Sequence, residues 1–207
     1  MKTIIMLYTI MLAAVLLLHF ADQPAQAAGQ GGAKARATFA GGCFWCLEKP
    51  FEHLDGVEAV ISGYIAGASK DPTYENYAAG GHIEAVEIIY DPARISYTRL
   101  LDVFWHQIDP TDPDGQFVDR GHAYTSAIFY HDQQQKEEAE KSKEALGASN
   151  IFSRPIVTPI LAASTFYPAE EYHQDYYRKN PLRYQYYRYG SGRDRFLDKV
   201  WGKERPK

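Results

Sequence analysis

Apolar and polar positions change period repeatedly along this chain, and each change marks an element. Ala37–Ala40 is a short apolar run, consistent with a buried strand, and Gly41-Gly42 breaks it. From Phe44 to His53 the apolar residues at 44, 47 and 51 follow a near-helical repeat, and Asp55-Gly56 stops it. Val57–Ile65 is rich in β-branched residues and predicts a strand. Ile83–Tyr90 alternates, with Glu84, Val86, Ile88 and Tyr90 on one side and Ile83, Ala85, Glu87 and Ile89 on the other. Ser96 is the expected cap of a helix over Tyr97–Gln107, with Leu100, Leu101, Phe104, Trp105 and Ile108 on one face. Ala123–Tyr130 reads as a strand, and Asp132 caps a charged helix ending at Gly147. Pro155 and Pro159 demote a strand at Ile156–Leu161 to an edge. Pro168 opens an expected helix over Ala169–Arg178.

Between these lie a Gly/Pro/Asn/Ser loop at 66–81 and a Pro/Asp/Gly loop at 109–121. A long loop inside a compact domain is usually functional. From 37 to 130 the order is β-α-β-β-α-β, the split βαβ of ferredoxin-like folds. The expected class is therefore α+β, a mixed sheet packed by helices, followed by a long C-terminal coil.

Composition narrows the function classes. Of the 207 residues, 45% are hydrophobic and 23% charged, ordinary values for a soluble globular protein. The balance of 22 basic against 26 acidic groups is too mild to argue for nucleic acid. Two cysteines exclude a multi-disulfide scaffold. The unusual figure is 16 tyrosines, eight of them between Tyr167 and Tyr189.

Residues 1–27 read as an address. Lys2 precedes an apolar run from Ile4 to Phe20, and Ala25-Gln26-Ala27 is an A-x-A cleavage pattern. The expectation is an exported protein, periplasmic or extracytoplasmic, with an uncleaved membrane anchor as the alternative. Residues 28–36 form a Gly/Ala-rich flexible lead-in, and 37–207 the catalytic domain.

The chemistry concentrates at Gly41-Gly42-Cys43-Phe44-Trp45-Cys46. Cys43 follows a strand and opens a predicted helix, whose free N–H groups and positive potential favour a thiolate. Cys46 lies close enough to close a disulfide across one helical turn. A plain structural bridge is the bland alternative, but so short a loop restricts the unfolded chain little. Zinc wants four ligands, and no second Cys pair accompanies histidines scattered at 53, 82, 106, 122, 131 and 173. C-x-x-C by itself suggests a thioredoxin-like oxidoreductase. The intervening Phe44-Trp45 argues otherwise, because two large aromatics beside a nucleophilic sulfur suit a methyl or thioether group.

Gly-Cys-Phe-Trp-Cys at 42–46 resembles the active-site signature of the A-type peptide methionine sulfoxide reductases. Further segments are similar in the same order: Asp71-Pro72-Thr73-Tyr74-Glu75, Gly81-His82-Ile83-Glu84, Asp109-Pro110-Thr111 with Asp119-Arg120-Gly121-His122-Ala123-Tyr124, and Phe166 to Tyr176. The resemblance covers about 37 to 181.

It implies that Cys43 attacks the sulfur of methionine-S-sulfoxide, free or in oxidised proteins and peptides, and becomes a sulfenic acid. Cys46 would resolve it as a Cys43–Cys46 disulfide, which a thioredoxin-like dithiol would reduce. By the same resemblance Glu84 is the proton donor, and its apolar strand neighbours predict a raised pKa. Tyr74 and Tyr124 would bind the sulfoxide oxygen, Asp119 would organise the site, and Phe44 and Trp45 would hold the substrate methyl. No cofactor, metal or nucleic acid is expected, and the chain is expected to be a monomer. Two features depart from the family. Ala123-Tyr124-Thr125-Ser126 stands where Gln-Tyr-Arg-Ser is frequent, and no cysteine follows Cys46. Glu170, Glu171, Tyr172, His173 and Asp175 read as architectural, and the Tyr/Arg-rich tail as solvated packing. A general disulfide oxidoreductase and a metal-binding surface protein are the competing readings of the residues alone.

Overall fold

The computed structural model describes residues 33–202. The expected export signal and residues 28–32 lie outside the described residues.

β1 (Ala35–Gly41) occupies the middle of a six-stranded sheet. β3 (Ile83–Tyr90) pairs antiparallel on one side of it and β6 (Ser126–Tyr130) on the other. β2 (Val57–Ile65) lies antiparallel beyond β3, so β1 and β2 run parallel with β3 between them. That is the split βαβ arrangement expected from the element order. β7 (Ile160–Ala162) adds a parallel edge to β6, and β8 (Tyr167–Pro168) an antiparallel edge to β2, which makes the sheet mixed. A small ribbon of β4 (Gly115–Gln116) and β5 (Asp119–Arg120) stands apart.

Three helices follow the predicted pattern. α1 (Phe44–Glu52) and α2 (Tyr97–Trp105) bury their apolar stripes, and Ser96 caps α2 by accepting from the Arg99 N–H at 3.2 Å. α3 (Gln133–Ala148) is capped by Asp132, which accepts from the Gln135 N–H at 2.8 Å. Period two sends Phe39, Val86 and Ile88 to one sheet face, where they meet Leu47, Phe51, Leu100 and Phe104. Phe39 stacks on Phe104 at 4.9 Å and on Phe51 at 5.6 Å. Ala40, Ile83, Ala85 and Phe129 occupy the other face. Glu84 shares the face of Val86 and Ile88, so its carboxyl points to the helix side.

The structure corrects four expectations. The sheet begins at Ala35, so the last residues of the expected lead-in are strand. The strand expected at Ala123–Tyr130 starts only at Ser126, because Gly121 (φ +99°) turns the chain into a 3₁₀ turn over His122–Tyr124. The helix expected over Ala169–Arg178 is turns as far as Asp175, with α4 confined to Tyr176–Lys179. Gln174 explains this: it accepts from the Ser62 N–H and donates to the Ser62 carbonyl, both at 2.9 Å, which holds the segment along β2. The expected C-terminal coil is two helices, α5 (Pro181–Gly190), with Pro181 at its entry, and α6 (Arg193–Trp201), entered through left-handed Gly192.

Candidate active site

The turn between β1 and α1 fixes the geometry of the cysteines. Gly42 has φ +80°, and a Cβ there would lie 2.6 Å from Gln116 Cβ and 2.9 Å from an Arg193 guanidinium nitrogen. Only glycine satisfies both the backbone and the space. Cys43 then stands at the N-cap of α1, and its carbonyl accepts from the Cys46 N–H at 3.0 Å. Cys43 borders a cleft of about 90 Å³ with Phe44, Trp45, Tyr74, Glu84, Asp119, Tyr124 and Tyr187. This is the volume of roughly three waters, the size of a sulfoxide head group. Of the eight residues singled out from the sequence, seven border this one cleft. Cys46 does not border it. It lies fully buried one turn along α1, in a cluster with Tyr176 and Tyr184.

Glu84 reaches the N-terminus of α1 from β3. Its Oε2 accepts from the Phe44 N–H at 3.0 Å and its Oε1 from the Tyr77 hydroxyl at 2.8 Å. Both bonds favour the carboxylate, yet burial outweighs them and pushes the pKa up to about 8, so the acid is mostly protonated at neutral pH. The Tyr77 hydroxyl also lies within hydrogen-bond distance of the Tyr124 hydroxyl, 3.2 Å away, which joins the acid to the cleft wall. Burial raises the Tyr124 and Tyr74 phenols as well, that of Tyr74 to about 12, so both remain hydrogen-bond donors.

The aromatic wall is braced from behind. Trp45 stacks flat on Tyr176 at 3.7 Å and donates its Nε1–H to His173 Nδ1 at 3.2 Å. Burial lowers the His173 pKa, so the ring is a neutral acceptor. Glu170 accepts from the Tyr74 N–H and the Tyr64 hydroxyl, each at 2.9 Å, and so holds the 66–81 loop.

The electrostatics of the two thiols reverse the expectation that the helix N-terminus would ionise Cys43. The Phe44 N–H is already taken by Glu84. Burial, together with a hydrogen bond to Cys46, pushes the Cys43 thiol up. Cys46 is lowered to about 6, chiefly by the hydrogen bond from Cys43 and then by Arg193 and Arg188. Of the two thiols, Cys46 is therefore the more readily ionised.

Several residues around the thiols were not singled out from the sequence. Tyr187, on α5, lines the cleft and donates to Asp119. Arg188 donates to the Cys46 carbonyl at 3.0 Å. That carbonyl has no helical donor, because Pro50 stands four residues on and has no N–H. Arg193, 1% exposed, donates to the Gly41 carbonyl at 3.0 Å and the Gln107 carbonyl at 2.6 Å. The only hint in the sequence was the density of Tyr and Arg after residue 181. The tail expected to be solvated packing instead closes the site.

Comparison with known proteins identifies the family and the fold. The family model described as peptide methionine sulfoxide reductase matches residues 35–205. A relative from Bacillus subtilis (strain 168), described as peptide methionine sulfoxide reductase MsrA, is 56% identical over 171 residues, 82% of this chain and 97% of the relative. Among solved structures, the reduced form of Mxr1 from Saccharomyces cerevisiae is 32% identical with a TM-score of 0.67, covering 72% of this chain and 86% of Mxr1. Mxr1 in complex with Trx2 aligns at 26% identity and a TM-score of 0.50, covering 67% of this chain and 82% of that one.

Proposed function

This chain belongs to the peptide methionine sulfoxide reductase A family and reduces methionine sulfoxide, and from that premise we propose how its residues divide the work. The substrate is the S epimer, and its methyl group lies between Phe44 and Trp45. Tyr74 and Tyr124 donate to the sulfoxide oxygen, and the Glu84 carboxyl protonates it as the Cys43 sulfur attacks the sulfoxide sulfur. A Cys43–substrate S–S bond forms; the substrate S–O bond then breaks as the hydroxyl, carrying the Glu84 proton, passes to the Cys43 sulfur, and the S–S bond breaks with its electron pair to methionine, leaving Cys43 as a sulfenic acid. The Cys43 thiol proton restores Glu84. Asp119, through Tyr187, fixes the floor of the cleft.

Cys46 thiolate then attacks the Cys43 sulfur. An S–S bond forms, the S–O bond breaks, and the hydroxyl leaves as water with the Glu84 proton. A thioredoxin-type dithiol reduces the disulfide. Its two protons return to Cys43 and Glu84, which restores the resting pair. The Trx2 complex of the related Mxr1 supports that choice of reductant.

One observation carries this reading. The Cys43 thiol, aromatic walls at 44 and 45, and a protonated carboxyl at 84 share a single cleft. The test is reduction of the separate S and R epimers of a methionine sulfoxide by dithiothreitol. Turnover confined to the S epimer and abolished in Cys43→Ser is expected, and turnover persisting in that variant refutes the assignment. Cys46→Ser should release one equivalent of methionine and then retain a trappable sulfenic acid. Residues 1–27 direct export, which N-terminal sequencing of the secreted or periplasmic protein tests. The chain acts as a monomer, which sedimentation tests.

A further inference from the structure

A cleft of about 90 Å³ takes a sulfoxide head group, so the rest of a peptide substrate must lie on the surface beside it. Of the eight residues that border the cleft, only Tyr74 is exposed, at 39%; the others are half-buried or buried. The mouth therefore opens along Tyr74. A second ring continues the surface there. His173, 1% exposed, packs against Tyr74 with ring centroids 4.4 Å apart and against Tyr172 with centroids 4.1 Å apart. Tyr172, expected from the sequence to be architectural, is 57% exposed, and the reaction scheme does not use it.

The charge beside these rings is negative. Glu170 accepts from the Tyr74 N–H and the Tyr64 hydroxyl, lies 4.0 Å from His173 Nε2, and has 32% of its side chain exposed. Burial opposes its ionisation, but its hydrogen bonds outweigh burial and hold the carboxyl below the ordinary carboxylate range. His173 is neutral, and among the described residues no lysine or arginine pairs with Glu170. The neighbouring Lys179 is held by Glu171 at 2.8 Å. Glu75 follows Tyr74 on the exposed loop and likewise has no lysine or arginine partner among the described residues.

We propose that Tyr74 and Tyr172 form a shelf for the residue flanking a peptide methionine sulfoxide, and that the preferred flanking residue is a lysine or arginine, laid across the rings with its charge toward Glu170. This rests on the reductase reading above and adds to it the class of peptide the site selects. Aromatic faces attract a cation. The apolar stem of lysine or arginine covers a ring while its charged head stays in water beside the carboxylate. An extended chain advances about 3.5 Å per residue, so Tyr172, one ring beyond Tyr74, is within reach of the first or second residue beside the sulfoxide. An exposed cation–π contact strengthens binding about two- to fivefold, and the carboxylates add a part that salt screens. The contact is the same before and during reaction, so it lowers KM and leaves kcat unchanged.

The test uses the full chain and three peptides that each carry one methionine-S-sulfoxide and differ only in a flanking lysine, glutamine or glutamate, with amide-capped methionine-S-sulfoxide as the unflanked substrate. In steady-state reduction by dithiothreitol at low salt, kcat/KM for the lysine peptide should exceed that for the glutamine peptide by about three- to tenfold, with the glutamate peptide lowest and the difference in KM. The advantage should shrink at about 1 M salt, where charges beyond ~3 Å are screened. Tyr172→Leu should bring the lysine peptide down to the glutamine one and leave the capped substrate unchanged, and Glu75→Gln should remove part of the salt-sensitive advantage. Equal kcat/KM for the three peptides overturns the proposal, as does a preference for glutamine or glutamate, or a lysine preference that survives Tyr172→Leu. Should Tyr172→Leu not fold, salt and Glu75→Gln decide: a lysine advantage that shrinks in both supports the proposal, and one that either leaves unchanged overturns it. Failure to reduce any S-sulfoxide would instead refute the reductase reading.

Discussion

Glu84→Gln separates the acid from every other part of the cleft. The amide keeps the shape of the side chain. Its oxygen still accepts from the Phe44 N–H, and its NH₂ turns to Tyr77, whose hydroxyl then accepts and keeps its own proton for Tyr124. What disappears is the transferable proton. Positioned acids contribute about 10²- to 10⁴-fold to turnover, so the loss expected is about 3–5 kcal/mol of barrier. The pH dependence provides a second, independent measure. Glu84 is raised from an ordinary 4.5 to about 8, so the native state holds its proton more tightly than the unfolded chain. The stability this contributes is complete below 4.5 and is lost as pH rises through about 8. Its size is on the order of 5 kcal/mol. Turnover of the parent protein should fall above pH 8 with one proton, as Glu84 ionises. Steady-state rates with dithiothreitol and chemical denaturation, each across pH, measure the two effects. Glu84→Gln should show very low turnover without that alkaline limb and a smaller loss of stability toward alkaline pH. Activity above about a tenth of the parent's, or an alkaline limb unchanged in the variant, would refute the role of Glu84 as the acid.

Two further substitutions probe its surroundings. Tyr77→Phe removes the donor that partly offsets burial of Glu84, so the alkaline limb should move to higher pH at a stability cost of about 1 kcal/mol; a limb that moves down would mean that the Tyr77 hydroxyl does not donate to the carboxylate. Gly42→Ala forces a side chain into left-handed backbone against Gln116 and Arg193, and should cost at least about 2 kcal/mol in thermal unfolding and lose sulfoxide turnover; an unchanged melting temperature would mean that the turn relaxes freely.

Much of the site was legible in the sequence because it depends on short-range rules. The two glycines mark a turn that demands them, and the three-residue spacing sets both cysteines on the first turn of α1. Strict alternation over Ile83–Tyr90 assigns Glu84 to the face of Val86 and Ile88, and the packed structure shows that this is the helix side of the sheet. The family motif then named the residues that border the cleft. The helix expected over Ala169–Arg178 failed because Gln174 satisfies Ser62 on β2, a contact 112 residues apart that local propensity does not encode.

The charge state of the thiols was not legible. Local reasoning put the thiolate on Cys43, since a helix N-terminus ordinarily stabilises it. The tertiary structure gives that N–H to Glu84 and brings Arg188 onto the Cys46 carbonyl from 142 residues further along the chain. The fold's local geometry follows from period and turn chemistry, which act over a few residues. Ionisation follows from burial and from charges brought close by folding, and only the packed C-terminal helices decide where those charges stand.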